Sequence, residues 1–112
     1  MNDDGRDVAY RRFHDAVNLT PRQLENWLDT AESKAVGEKK GAGAESTGHR
    51  SGRRIVSLLR KRKSDLTPSD VAHMRKVAAF VARHLAQRPA GDVRTTRWRY
   101  SLMNWGHDPL TR

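Results

Sequence analysis

No cysteine occurs among the 112 residues, so disulfide frameworks, thiolate zinc sites and thiol nucleophiles are excluded together. No run approaches the ~18 consecutive apolar residues of a membrane-spanning helix. The opening Met-Asn-Asp-Asp-Gly-Arg is acidic and polar where an export signal is basic and then apolar. Neither a membrane partner nor a secretory route is expected, and the setting predicted is cytoplasmic. Sustained alternation of apolar and polar residues is also lacking, which leaves no candidate for a half-buried strand. The fold class expected is all-α, with 36% apolar residues supporting one modest core in a single domain over residues 1–112.

Five helical segments can be placed. The first, over 7–17, sets Ala9, Phe13, Ala16 and Val17 on one face, with Asp3 or Asp4 positioned to cap it and residues 1–6 read as a flexible N-terminus. The second opens at Thr20-Pro21, where Thr caps, Pro fits the first helical position and Gln23 completes a capping box. Leu24, Trp27, Leu28 and Ala31 form its apolar stripe. Residues 36–52 carry five glycines among Lys, Glu, Ser and Thr, the composition of a mobile or functional loop. A third helix over 52–63 follows, with Ser51 as its cap. Thr67-Pro68-Ser69-Asp70 repeats the Thr-Pro opening and starts the longest helix, which reaches about residue 87. Its Val71, Met74, Val77, Ala78, Val81 and Leu85 make a wide apolar face with Phe80 beside it, so it is expected to be the strut on which the others pack. The fifth, over 95–105, aligns Trp98, Leu102 and Trp105, and Gly106 suits the left-handed position after it. The architecture predicted is a compact bundle of about five helices with a glycine-rich loop between the second and third.

Charge is distributed unevenly. Seven of the 22 Lys and Arg residues, and no acid, fall in residues 50–63, while the other 15 share the rest of the chain with all 13 acids. Most of the formal net charge of +9 is therefore concentrated there. Ile55, Leu58 and Leu59 form a stripe that can dock the segment on a core and hold its charges in place. Such a cluster points to a polyanion, above all nucleic acid, because phosphate neutralisation needs charge density and not a base sequence. Ser51, Gly52 and the first amides of the third helix suggest an anion seat. Arg53 and Arg54 can clamp the anion bidentately, with His49 and Arg50 reaching in from the loop. The alternative is a solvated basic helix end, since Arg60, Lys61, Arg62 and Lys63 also suit the negative C-terminus of a helix.

Trp27-Leu28, Glu32-Ser-Lys-Ala-Val-Gly37, Gly48-His-Arg-Ser-Gly-Arg-Arg-Ile55, Ala72-His-Met-Arg-Lys-Val77 and Trp98-Arg-Tyr-Ser-Leu-Met-Asn-Trp-Gly-His-Asp-Pro-Leu110 together resemble the small bacterial and fungal family called domain of unknown function 3140. The likeness runs from about Tyr10 to Leu110. Some members carry a DNA-binding label, and the resemblance implies no activity or site residue beyond that hint. The stretch from Leu19 to Leu28, a loop, and then Ser51 to Leu59 is also similar to the helix, extended loop and basic helix of SAP-type DNA-binding motifs, although the loop here is far longer.

Arg94, Arg97 and Arg99 interleave with Trp98 and Tyr100, a mixture able to grip phosphate while stacking an unpaired base. The spacing of Trp98, Leu102 and Trp105 assigns the tryptophans to packing and leaves Tyr100 as the free aromatic. His49, His73, His84 and His107 show no His-x-x-x-His spacing and no adjoining carboxylate set, so no metal is expected. Ser51, His49 and Asp108 are the residue types of a hydrolytic triad, but triads are defined by geometry. No Gly-x-x-x-x-Gly-Lys-Ser/Thr run is present.

The expectation is thus a protein that is not an enzyme, needs no cofactor and takes no small-molecule substrate. It binds nucleic acid, duplex DNA in preference to RNA, through His49, Arg50, Ser51, Gly52, Arg53, Arg54, Arg60, Lys61, Arg62 and Lys63, and is nucleoid-associated if that holds. The alternative is a protein-interaction module or homo-oligomer that uses the edge of the longest helix and the Trp-containing tail.

Overall fold

The computed structural model describes residues 3–37 and 44–111, the side chains of Asp3 and Asp4 excepted. The helices are α1 (Asp3–Ala16), α2 (Pro21–Leu28), α3 (Ala31–Ala35), α4 (Thr47–Leu59), α5 (Pro68–Leu85) and α6 (Arg97–Asn104), with a 3-10 turn at Lys63–Asp65. Among the described residues there is no strand, and no helix is long and apolar enough to cross a membrane.

Both Thr-Pro openings form as the sequence predicts. Thr20 Oγ1 accepts from Gln23 N at 3.1 Å, and Gln23 Oε1 accepts from Thr20 N at 2.9 Å. Thr67 and Asp70 repeat the exchange at 3.1 and 3.0 Å. Each box satisfies amides that have no partner inside the helix.

Other boundaries differ from expectation, each for a local reason. Residues 3–6, expected to be flexible, belong to α1. Arg6 donates to Lys63 O at 2.6 Å and Leu66 O at 3.2 Å, and Lys63 Nζ lies 2.6 Å from Asp7, so the first turns are tied to the segment before α5. The cap expected from Asp3 or Asp4 lies outside the described residues. The second helix stops at Leu28, because Thr30 starts a new one by accepting from Ser33 N at 3.1 Å. Ala31 is consequently exposed and Ser33 is buried in its place. α4 begins five residues before the expected position, capped by Ser46, whose Oγ accepts from His49 N at 3.1 Å, and it ends at Leu59. Part of the 36–52 loop is therefore helix, residues 38–43 of it lie outside the described residues, and Arg60, Lys61, Arg62 and Lys63 follow α4 instead of closing it.

The hub of the bundle is α6 and not the longer α5. α1 packs along α5 and α2 along α4, while α6 packs against α2, α3, α4 and α5. Its side chains explain the position: Trp98 and Trp105 are buried as their spacing predicts, and Leu102 and Asn104 are fully buried. Asn104 Oδ1 accepts from Trp27 Nε1 at 2.8 Å and Ser33 Oγ at 2.5 Å, and its Nδ2 donates to Ser33 O at 3.1 Å. A buried amide with this many partners is stabilising where a half-satisfied one would cost. α4 reaches α6 through Gly52, where a Cβ would come within 2.6 Å of both Asn104 O and Leu28 Cδ2. Phe13, Leu24, Ile55, Leu58, Met74 and Val77 complete the core, each fully buried side chain of this kind contributing roughly 1.5–3 kcal/mol before entropy is deducted. Gly106, at φ +85°, turns the chain after α6, and its carbonyl accepts from Asn18 N at 3.1 Å and Leu19 N at 3.2 Å.

Candidate nucleic-acid interface

Folding brings acids to the basic segment. Arg53 forks onto Glu45, with Nε and Nη2 at 2.8 and 2.6 Å, and Arg50 Nε lies 3.9 Å from the same carboxylate. Arg60 grips Glu25 at 2.9 and 2.7 Å. Lys61 Nζ is 2.6 Å from Asp70 Oδ2, and Arg54 reaches Asp70 Oδ1 at 3.3 Å and Ser69 Oγ at 2.9 Å. Arg62 pairs with Asp65 at 3.3 Å and Lys63 with Asp7 at 2.6 Å. All seven cations of residues 50–63 thus have a carboxylate within 4 Å, supplied by five acids outside that segment, and the local +7 falls to +2.

The acids respond to these partners. Arg53 above all, helped by His49 and opposed by burial, pulls Glu45 down to about 2. Lys61, followed by the Thr67 amide, holds Asp70 well below the usual carboxylate range. Arg60 lowers Glu25, and Lys63 lowers Asp7. The pairs of Arg60, Arg62 and Lys63 are exposed on both sides and add little net stability, whereas the Asp70 carboxylate is buried.

Three of the expected contact residues have other tasks. His49 directs Nδ1 to the Glu45 carboxylate and Nε2 to Leu28 O at 2.8 Å, which fastens the start of α4 to the end of α2. Ser51 and Gly52 lie buried inside α4, so their amides belong to the helical ladder and form no anion seat. Among the described residues, the amides of α4 without a partner are those of Thr47 and Gly48, at its actual N-terminus.

That N-terminus opens on a groove between α4 and α5, two helices held apart by Trp105. One cavity of about 380 Å³ is lined by Thr47, Arg50, Ser51, Arg54, His73, Lys76 and Trp105. A second, of about 430 Å³, shares Thr47, Lys76 and Trp105 and adds Gly48, Phe80, Arg83 and His84. Four cations border the two cavities and no carboxylate lines either. Among the described residues, Lys76 and Arg83 have no acid within 4 Å. Trp27 and Trp98 donate their indole N–H to Asn104 Oδ1 and His84 O, at 2.8 and 2.7 Å. The Trp105 N–H has no acceptor among the described residues and faces Gly48, where a Cβ would stand 3.1 Å away.

Beneath the groove the rings of His73, Trp105, Phe80, His84 and Trp98 stack in that order, with successive planes within 12° to 16° of parallel. Arg88 lies over the outer Trp98 ring at 5.5 Å. Burial, with Arg54 and Lys76 nearby, pushes His73 down to about 4, so its ring is neutral near pH 7. Its Nε2 meets Ser51 Oγ at 2.9 Å. The residues of the hydrolytic triad do not assemble, since His49 is engaged by Glu45 and Asp108 by Arg99 at 3.1 and 3.0 Å. Among the described residues no group of three or more His, Asp or Glu side chains is placed to hold a metal ion.

The family model described as protein of unknown function (DUF3140) matches residues 12–103. The chain belongs to this family. No curated protein and no solved structure matches it. In this DUF3140 protein the matched stretch takes in the whole of α2 through α5, and with them every residue bordering the groove except Asn104 and Trp105.

Of the ten residues expected at the interface, Arg50, Ser51 and Arg54 line the groove, while Arg53, Arg60, Lys61, Arg62 and Lys63 stand in ion pairs outside its lining. Thr47, Lys76, Arg83 and Trp105 are among the lining residues that the charge cluster leaves out. Lys76 and Arg83 have a sequence signal: they are seven apart on one face of the longest helix, beside Phe80. In the tail, Tyr100 packs on Trp27 with ring centroids 5.4 Å apart, Arg94 pairs with Asp92 at 2.7 Å and Arg99 with Asp108.

Proposed function

We propose that this protein binds nucleic acid without catalysing a reaction on it, seating the phosphate backbone along the α4–α5 groove. The observation that carries the proposal is a groove bordered by Arg50, Arg54, Lys76 and Arg83 with no carboxylate in its lining. The Thr47 hydroxyl and the Trp105 N–H add donors, and the amides and dipole at the start of α4 favour an anion there. Arg53, Arg60, Lys61, Arg62 and Lys63 extend the contact by exchanging their carboxylates for phosphates. Duplex DNA is favoured over a single strand because base stacking needs open aromatic faces, and Trp98 and Trp105 are buried while Tyr100 lies against Trp27. A cytoplasmic, nucleoid-associated location follows from this reading.

The test is fluorescence anisotropy with labelled duplex DNA, single-stranded DNA and RNA at two salt concentrations, on the native chain and on a Lys76→Glu, Arg83→Glu double variant. Duplex DNA should bind most tightly and weaken steeply with salt. The double variant should lose at least about tenfold in affinity and flatten the salt slope by about two, since each lost phosphate contact removes roughly 0.9 from it. Unchanged affinity and slope in the variant, or no binding of any of the three to the native chain at low salt, overturns the proposal.

A further inference from the structure

We infer that a separate groove, between α1 and α5, receives an amphipathic helix from another protein, apolar along one stripe and acidic beside it. At about 850 Å³ this groove is larger than either basic cavity. Its apolar lining includes Val8, Ala78, Ala79, Val81, Ala82 and Leu85. Short alanine side chains keep the wall from α5 low, and Leu85, 37% exposed, is one of two large hydrophobic side chains among the described residues left open to water. Open apolar surface with a polar rim is the usual mark of an interaction site.

Length and charge select the occupant. On α1 the lining runs from Gly5 to Ala16, a distance of about 16 Å or three helical turns at 1.5 Å per residue. A helix of that length presents apolar anchors at i, i+3 or i+4, and i+7, the pattern by which helices lie in grooves. Arg12 and Arg75 both line the groove, and among the described residues neither has a carboxylate within 4 Å; Asp15 is the one acid in the lining. The rim therefore calls for acids on the incoming helix. A second copy of this chain is a poor occupant, since it would bring a net +9 against +9. The alternative expected from the sequence uses the edge of the longest helix together with the Trp-containing tail; Trp98 and Trp105 of that tail are buried, and the groove lies along the edge of α5 beside α1.

The test uses two labelled peptides of about 14 residues, enough for slightly under four turns. Both carry leucines at i, i+3, i+4 and i+7; one has glutamates beside the stripe and the other lysines. Anisotropy titrations use the full chain, with peptide-induced shifts of its isotope-labelled methyl groups recorded in parallel. The glutamate peptide should bind at least about tenfold more tightly than the lysine peptide, a difference near 1.4 kcal/mol, and shift Val8, Ala79, Ala82 and Leu85. Ala79 is exposed, so Ala79→Glu should keep the fold and the DNA affinity while abolishing peptide binding. Arg12→Glu with Arg75→Glu should invert the peptide preference. Equal affinity for the two peptides, binding that survives Ala79→Glu, or a concentration-dependent dimer that Ala79→Glu abolishes overturns the inference, the last in favour of a second copy.

Discussion

Lys61 holds its ammonium 2.6 Å from Asp70 Oδ2, the same oxygen that accepts from Thr67 N at 3.0 Å to close the capping box of α5. One carboxylate therefore starts the longest helix and neutralises part of the basic segment, and the other oxygen of Asp70 draws in Arg54 at 3.3 Å. Helix capping and surface charge cannot be altered separately at this position.

Asp70→Asn should cost about 1–2 kcal/mol in urea denaturation at pH 7, the range for weakening a cap together with a charge-assisted bond. Because the Asp70 carboxyl is held below its ordinary value of 3.8, its contribution is complete above that pH and fades as pH falls through the lower folded value. The gap between native chain and variant should hold steady from pH 5 to 8 and close in acid. A variant as stable as the native chain at pH 7 refutes the double role.

Glu45→Gln should strengthen DNA binding and steepen its salt dependence, because it releases Arg53 and Arg50 from the carboxylate that now engages them. Anisotropy titrations at two ionic strengths decide the matter. Weaker binding would mean that Glu45 positions these arginines for phosphate instead of competing with it.

Gly52→Ala should destabilise the fold by about 1–3 kcal/mol through overpacking, because its methyl group would meet the backbone oxygen of Asn104, which has little room to retreat. Thermal denaturation measures it. A neutral result would show that α4 and α6 separate at low cost.

Stability should also decline as pH falls from 6.5 toward 4. Burial lowers His73 to about 4 and also lowers His14 and His84, so each ring is uncharged in the fold at pH values where the unfolded chain has begun to take up protons. Such groups stabilise above the unfolded value of 6.5 and lose that contribution as pH drops through the folded one. Glu45, lowered from 4.5 to about 2, acts in a more acidic window. His73→Gln should flatten the fall of Tm between pH 6.5 and 4 and leave the decline below 4 in place; an unaltered profile would remove His73 from the account.

Capping and stripe spacing make much of the fold legible in the sequence. Thr20, Thr67 and Gly106 act locally, and Phe13, Met74 and Leu102 follow helical periodicity. The start of α4 was harder, because Ser46 and Ser51 are equally acceptable caps by residue type. The choice between them depends on Gly52 fitting against Asn104, a contact across 52 positions that no local pattern contains. The ion pairs of the charge cluster are hidden for the same reason: Glu25, Asp7 and Asp70 are distant in sequence from the cations they meet. α6 became the hub through Asn104, whose partners Trp27 and Ser33 lie more than 70 residues away.

The stacked rings give the molecule an optical gauge of its own. Of the three indoles, Trp105 alone lines the basic cavities, while Trp27 donates to Asn104 and Trp98 to the His84 carbonyl. Its N–H faces Gly48, and its ring rests between Phe80 and His73. An anion entering the proposed groove should therefore change the emission of one indole out of three, a readout of the proposal that needs no label.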